Sequence, residues 1–241
     1  MKIGACSDIG RYRKLNEDSF FVYKNEQLTG AMVADGMGGH NAGEVASKMA
    51  AELVKSAIID GFDPEMDYVV LSEVVRRAML SANEEIFRKS KFEPGENGMG
   101  TTAAAAFVFK GKLITANVGD SRVYAVDEKS IRQMTRDHSY VGELVELGEI
   151  TPEGAKSHPQ KNYITRALGS EAFVKVDISI TDYGGEIIVV CTDGLTNLVS
   201  DEQIKSIVNT YDDFYTAAAE LISLANRKGG TDNITAVVFS L

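Results

Sequence analysis

Only four prolines are spread through the 241 residues, with no Pro- or Gly-rich stretch, no low-complexity tract and no repeat at a fixed period. Nothing therefore marks a linker, and a single domain over residues 1–241 is expected. No apolar run is long enough for a membrane span or shaped like a secretory signal, which points to a cytoplasmic location and away from a membrane partner. Cysteine is confined to Cys6 and Cys191, both in apolar strand-like runs. A bridge between them is formally open, but free buried thiols are the simpler expectation in a reducing compartment. Lys and Arg form no cluster and the net charge is −10, which excludes the electrostatic footprint of a nucleic-acid binder.

What is there is ample core-forming material: 44% of the residues are hydrophobic. From about Ala42 to Asp60, Val45, Met49, Leu53 and Ala57 recur every fourth residue beside Ala46, Ala50, Val54 and Ile58, an apolar stripe of helical period. A second helix from about Asp67 to Lys89 places Leu71, Val74, Val75, Ala78, Met79, Ala82 and Ile86 on one face, and the two are expected to pack together. Ser200-Asp201-Glu202-Gln203 has capping-box spacing and opens a third helix; Phe214, Ala218, Leu221, Ile222 and Ala225 line a fourth. Between them lie β-type runs at Ile3–Ile9, Ser19–Tyr23, Gly30–Ala34, Thr102–Phe109, Lys112–Val118, Arg122–Val126, Val174–Ile180, Glu186–Thr192 and Ile234–Ser240. Connections as short as Lys110-Gly111 leave no room for a crossover helix, so antiparallel pairing is expected. Helix pairs over antiparallel sheets make an α+β fold.

Four aspartates stand at ends of these runs: Asp35, Asp120, Asp193 and Asp232. Each alone is also what a turn uses. Gathered at one edge of a sheet system and joined by Glu17 and Asp18, they would instead repel one another by about 4 kcal/mol per close pair at an intermediate dielectric, a penalty that divalent cations remove. Oxygen donors with no Cys or His cluster favour Mg²⁺ or Mn²⁺ over Zn²⁺. Two such ions can share a water, acidify it and hold it in line with phosphorus. They would also reverse the field with which so acidic a chain meets an anionic substrate.

The motifs Arg13-Lys14-Leu15-Asn16-Glu17-Asp18, Asp35-Gly36-Met37-Gly38-Gly39-His40, Gly100-Thr101-Thr102, Gly119-Asp120-Ser121-Arg122, Cys191-Thr192-Asp193-Gly194-Leu195 and Gly230-Thr231-Asp232-Asn233 occur in this order over nearly the whole chain. In them the sequence resembles the PP2C-type (PPM) metal-dependent protein phosphatases, specifically their bacterial branch. The resemblance implies a four-layer α-β-β-α sandwich of two antiparallel sheets flanked by helix pairs. It implies hydrolysis of phosphoserine and phosphothreonine by in-line attack of a water shared between two Mn²⁺ or Mg²⁺ ions. Asp35 would bridge the ions, the Gly36 carbonyl would bind one, and Asp193 and Asp232 the other. Glu17 would act through water ligands, Asp18 would orient the site from outside the ligand shell, and Arg13 would grip the phosphate, as a forked and permanently charged guanidinium can. Asp120 with Asp193 would hold a third ion. Phosphoproteins and a cognate Ser/Thr kinase are the implied partners, and a monomer is expected.

One departure is Met37, where many eukaryotic members carry a histidine that can donate a proton; methionine cannot, leaving the general acid to a water or unassigned. His40 is read as structural. His138 and His158 bracket Ser139–Gln160, a charged segment that resembles the family's flap (about 139–160), although an ordinary surface loop has the same composition. No dinucleotide fingerprint, P-loop lysine, nucleophile elbow or zinc-protease helix is present. A metabolite phosphoesterase and a silent binding module stand as the competing readings. The second predicts a lost metal acid, and none is lost.

Overall fold

A computed structural model describes residues 2–38, 42–93, 96–151, 154–155 and 158–241. His40 and the neighbouring Gly39 and Asn41 lie outside the described residues. The strands are β1 (Lys2–Asp8), β2 (Asp18–Lys24), β3 (Leu28–Met37), β4 (Gly100–Thr101), β5 (Ala103–Phe109), β6 (Lys112–Val118), β7 (Arg122–Val126), β8 (Ile131–Gln133), β9 (Asp177–Asp182), β10 (Ile187–Cys191) and β11 (Ile234–Ser240). The helices are α1 (Ala42–Gly61), α2 (Tyr68–Phe92), α3 (Tyr140–Glu146), α4 (Asp193–Thr196), α5 (Asp201–Thr210) and α6 (Phe214–Arg227).

The strands form two antiparallel sheets, one in the order β1-β11-β10-β7-β8 and one in the order β2-β3-β5-β6-β9, with β4 added beside β3. Alternation along the strands builds the layers, because successive side chains point to opposite faces. In β5, Ala103, Ala105, Phe107 and Phe109 pack with α1 and α2, while Ala104, Ala106 and Val108 meet Val123, Ile188, Val190 and Val237 of the other sheet. The outer face of that other sheet is covered by α5 and α6 through Ile204, Val208, Phe214, Ala218 and Leu221. Strands covered on both sides read as continuous apolar runs, which is the α-β-β-α sandwich expected. Among the described residues, no helix is long and apolar enough to cross a membrane.

Several boundaries move for physical reasons. On α1 the two rows differ in depth: Ala46, Ala50, Val54 and Ile58 are buried, Val45, Met49 and Ala57 are partly buried against the core, and Leu53 is 36% exposed. Asp67 caps α2 instead of lying inside it, its carboxylate accepting from the Val69 amide at 2.7 Å. At the predicted capping box, Gln203 Oε1 accepts the Ser200 amide at 3.2 Å. β3 does not stop at Ala34 but runs through Met37, because its end pairs with β4, which the sequence alone did not suggest. Lys110 and Gly111 both take positive φ (47° and 70°), the turn geometry that matches the twist of the β5–β6 hairpin. The cysteines are free. Both pair with Ala236 from opposite sides, so they stand two strands, or about 9–10 Å, apart, beyond disulfide reach.

Candidate metal centre

The predicted acids come from both sheets and meet where the sheets' edges meet. Asp18 opens β2 and pairs in register with Asp35 of β3. Asp193 is the first residue of α4, directly after β10, and Asp232 lies just before β11. Asp120 sits in the turn that carries the chain from β6 in one sheet to β7 in the other. Burial, followed by the charges of Asp18, Asp193, Asp120 and Asp232, holds the Asp35 carboxyl well above the usual carboxylate range. Asp120 is raised in the same way by burial and then by Asp193. Asp193 is raised by burial and then by Asp232, against a hydrogen bond with Asp35. The buried carboxylates of Asp18, Asp35, Asp120 and Asp193 thus share one poorly solvated space, and their charges, with that of Asp232 beside them, oppose ionisation among the four.

Their surroundings leave oxygens over. Oδ1 of Asp18, of Asp120 and of Asp193 is buried with no hydrogen-bond partner. A buried acceptor without a donor is costly, and the cost disappears when a cation takes the position. Among the described residues, no three Asp, Glu, His or Cys side chains already form a closed ligand cage. The arrangement is instead one of single carboxylates and carboxylate pairs beside strand backbone, with space for water. That donor set fits Mg²⁺ or Mn²⁺, which keep several waters and take one or two carboxylates.

The other oxygens are firmly held. Asp18 Oδ2 accepts from Thr192 Oγ1 at 2.9 Å and Thr235 Oγ1 at 2.7 Å. Burial pushes the Asp18 carboxyl up to about 7 even against these two donors. Thr235 Oγ1 lies 2.8 Å from Ser7 Oγ, which in turn accepts from Asn16 Nδ2 at 2.9 Å. Asp193 Oδ2 accepts from Asn197 Nδ2 at 2.9 Å. Thr102 Oγ1 accepts the Asp35 amide at 2.9 Å. Asn233 takes the Glu17 amide on its Oδ1 at 2.8 Å and donates to the Ile9 and Leu15 carbonyls at 2.9 Å each. Sequence reasoning quoted Thr102, Thr192 and Asn233 within motifs but gave them no task, and passed over Thr235, Ser7 and Asn197. The available signal was polar residues interrupting strands otherwise buried and apolar.

Gly36 and Gly43 face one another. A Cβ on Gly36 would stand 2.0 Å from the Gly43 carbonyl oxygen, and one on Gly43 would stand 2.5 Å from Glu17 Oε1. The start of α1 is therefore pressed against the strand that carries Asp35, with the Glu17 carboxylate in the gap. Burial raises the Glu17 pKa, partly offset by Arg13. Arg13, in the β1–β2 loop, places Nη2 at 2.9 and 2.8 Å from the two Asp232 oxygens and Nη1 at 4.0 Å from Glu17. Its side chain is 47% exposed, so the guanidinium stands at the mouth of the acid cluster. From Asp120 and Asp193 a cleft of about 800 Å³ runs between α3 and the α4–α5 connection towards Ser200, Asp201 and Lys228.

Residues 11–236 match the family described as Protein phosphatase 2C. The chain belongs to the protein phosphatase 2C family. It is 39% identical to the serine/threonine phosphatase stp of Listeria welshimeri over 237 residues, covering 96% of this chain and 92% of that one. The crystal structure of serine/threonine phosphatase Stp1 from Staphylococcus aureus superposes with a TM-score of 0.93 at 33% identity, covering 99% and 94% of the two chains. The catalytic domain of the protein phosphatase PstP, solved in complex with two manganese ions, aligns with a TM-score of 0.82 at 36% identity over 98% and 96%. In this phosphatase 2C chain every acid of the cluster lies in one of the six quoted motifs, whereas three of the residues that brace them, Ser7, Asn197 and Thr235, lie outside.

Proposed function

We propose that the chain hydrolyses phosphoserine and phosphothreonine esters in proteins with divalent cations held by Asp35, Asp193 and Asp232. As a member of the protein phosphatase 2C family it is a protein serine/threonine phosphatase; the residue roles are our reading. What supports them is the set of buried, unpartnered carboxylate oxygens at the junction of the sheets, beside a half-exposed arginine. Asp35 and the Gly36 carbonyl would hold one ion, Asp35, Asp193 and Asp232 a second, and Asp120 with Asp193 a third. The two manganese ions bound by PstP favour Mn²⁺. When bound, the ions neutralise the acids and supply acidified water for attack on phosphorus.

The chain's own groups do the rest. Arg13, with fixed donors and a permanent charge, binds and orients the phosphate oxygens at the mouth of the cluster. Its exchange from Asp232 to the phosphate needs only a side-chain rotation. Glu17, packed against α1, accepts hydrogen bonds from water at the first ion's position. Thr192 and Thr235 fix one oxygen of Asp18 and leave its Oδ1 buried and unpartnered, so any water that it would orient meets an acceptor already in place. The cluster's burial keeps bulk water out, which strengthens every charge contact within it. We further read the chain as one catalytic domain, since the two sheets share the apolar layer of Ala31, Val33, Ala104, Val190 and Val237. A monomer working in the cytoplasm against a cognate Ser/Thr kinase completes the proposal.

The deciding experiment measures phosphate release from a phosphothreonine protein and from a small phosphate ester, with Mn²⁺ and with excess chelator. Turnover of the protein that vanishes with chelator is the expected result. Turnover of the small ester alone would move the reading to a metabolite phosphatase.

A further inference from the structure

We propose that the His138 imidazole is a positioning residue that ties the base of the flap to the Asp120 turn. His138 is 2% exposed and is used by none of the steps above. It holds Gly119, the residue before Asp120, from both sides: the Gly119 amide donates to His138 Nδ1 at 3.1 Å, and the Gly119 carbonyl accepts the His138 amide at 2.9 Å. Gly119 has φ +104°, and a Cβ there would stand 2.6 Å from Thr102 Cγ2. The turn therefore has no alternative residue and is packed on the threonine that supports Asp35.

The first of these bonds fixes the tautomer. With its Nδ1 lone pair engaged by Gly119, the ring carries its proton on Nε2 and donates it to Asp177 Oδ2 at 3.0 Å. Arg166 Nη1 lies 3.0 Å from the same nitrogen, but both are donors, and its hydrogen bond goes to Asp177 Oδ1 at 3.1 Å. Lys175 Nζ is 3.4 Å from that oxygen. The ring is thus gripped between a turn of the metal centre and a charged cluster on β9.

The flap begins and ends at this point. The His138 carbonyl accepts the Thr165 amide at 2.8 Å, the Tyr140 amide donates to the Tyr163 carbonyl at 2.8 Å, and Ser139 and Ile164 form a bridge between them. Asn117 runs a parallel tie, its Nδ2 donating to the Gly119 carbonyl at 3.1 Å and the Arg136 carbonyl at 2.8 Å. A displacement of the flap base is therefore passed to Gly119 and on to Asp120, whose Oδ1 is unpartnered. The inference rests on the reading of Asp120 as a metal ligand.

Two near-isosteric variants separate the ring's two bonds. His138→Asn keeps an acceptor where Nδ1 stands, facing Gly119, and loses Asp177; His138→Gln keeps a donor to Asp177 and loses the acceptor. Mn²⁺ binding to the metal-stripped full chain is read by the electron paramagnetic resonance of free Mn²⁺, independently of turnover, with Asp120→Asn alongside. The expected result is that Asp120→Asn removes the loosest site, His138→Gln weakens it about tenfold, the range seen when groups behind a metal ligand are changed, and His138→Asn leaves it within about threefold. If His138→Gln does not fold, Asp177→Ala serves in its place: the ring, no longer held to the tautomer with its proton on Nε2, loses its fixed acceptor towards Gly119, and the same site weakens about tenfold. Wild-type titrations for His138→Gln, or for Asp177→Ala in its stead, while Asp120→Asn is deficient, would overturn the positioning role and leave His138 a core histidine. A wild-type titration for Asp120→Asn would overturn the ligand reading itself, and the inference with it.

Discussion

The floor of the metal centre and the flap above it are built on opposite plans. On the floor, three of the acids are anchored by residues far away in sequence: Asp18 by Thr192 and Thr235, Glu17 by Asn233, and Asp35 by Thr102. In the flap the ties are between near neighbours and mostly at the surface: Ser139 caps α3 through the Gly142 amide, Glu146 pairs with Arg136 just before the flap, and the His158 ring lies 5.9 Å from that of Tyr140. Long-range bonds within a buried core open only with the whole structure, whereas short-range exposed ones open separately. The acid cluster is thereby tied to the stability of the whole fold, and the described part of the proposed flap is not.

This contrast can be broken most sharply at Asp193. Asp193→Ala removes an oxygen set shared by two proposed ion positions, and turnover should fall by about 10³-fold, the worth of roughly 4 kcal/mol, with unchanged far-ultraviolet circular dichroism. Wild-type rates from that variant would sink the metal assignment. Arg13→Ala comes next: kcat/KM should drop by about 10²-fold, with Arg13→Lys only partly restoring it, because an ammonium lacks the forked geometry.

Thr235→Val tests the long-range bracing. It leaves buried Asp18 short of a donor and should cost about 1–3 kcal/mol of stability, lowering Tm by roughly 2–4 °C per kcal/mol. Glu146→Ala in the flap should change stability by less than about 0.5 kcal/mol. Equal effects from the two would erase the distinction between floor and flap.

Acidity probes the same floor. Asp18 has its pKa raised by burial from 3.8 to about 7, and Asp35 and Asp120 are raised in the same direction. Between these limits the folded protein binds more protons than the unfolded one, so stability falls as pH rises. The metal-stripped protein should therefore melt at a higher temperature near pH 5 than near pH 7.5, and Mn²⁺ should reverse the order, since it competes with protons for the same oxygens. Thermal melts at both pH values, with and without Mn²⁺, check the sign.

The fold was legible where burial writes itself into period. The stripe on α2 and the unbroken apolar runs of β5, β6 and β11 follow from being covered on one or both faces, and even the Lys110-Gly111 turn was visible. β4 and β8, of two and three residues, are too short to leave a pattern. The acids were legible because Asp beside Gly recurs at the ends of hydrophobic runs. Their order in the chain, however, says nothing of the pairing of Asp18 with Asp35, nor that Arg13 rests on Asp232. The hydroxyl bracing was illegible for a different reason. Thr192, Thr235 and Ser7 are ordinary residues of strand-like runs in sequence, and only the juxtaposition of β1, β2, β10 and β11 makes the two threonines partners of one carboxylate and sets Ser7 behind Thr235.

The position of β11 carries one more consequence. This strand, which follows Asp232 and bears Thr235, is inserted between β1 and β10, so the centre of one sheet is made from the part of the chain that leaves the ribosome after everything it pairs with. Until it arrives, nothing joins β1 to β10, Asp18 lacks one of its two hydroxyl donors and the acid cluster lacks Asp232. A chain still short of β11 therefore has neither the finished sheet nor the full acid cluster, and the two are completed in one step.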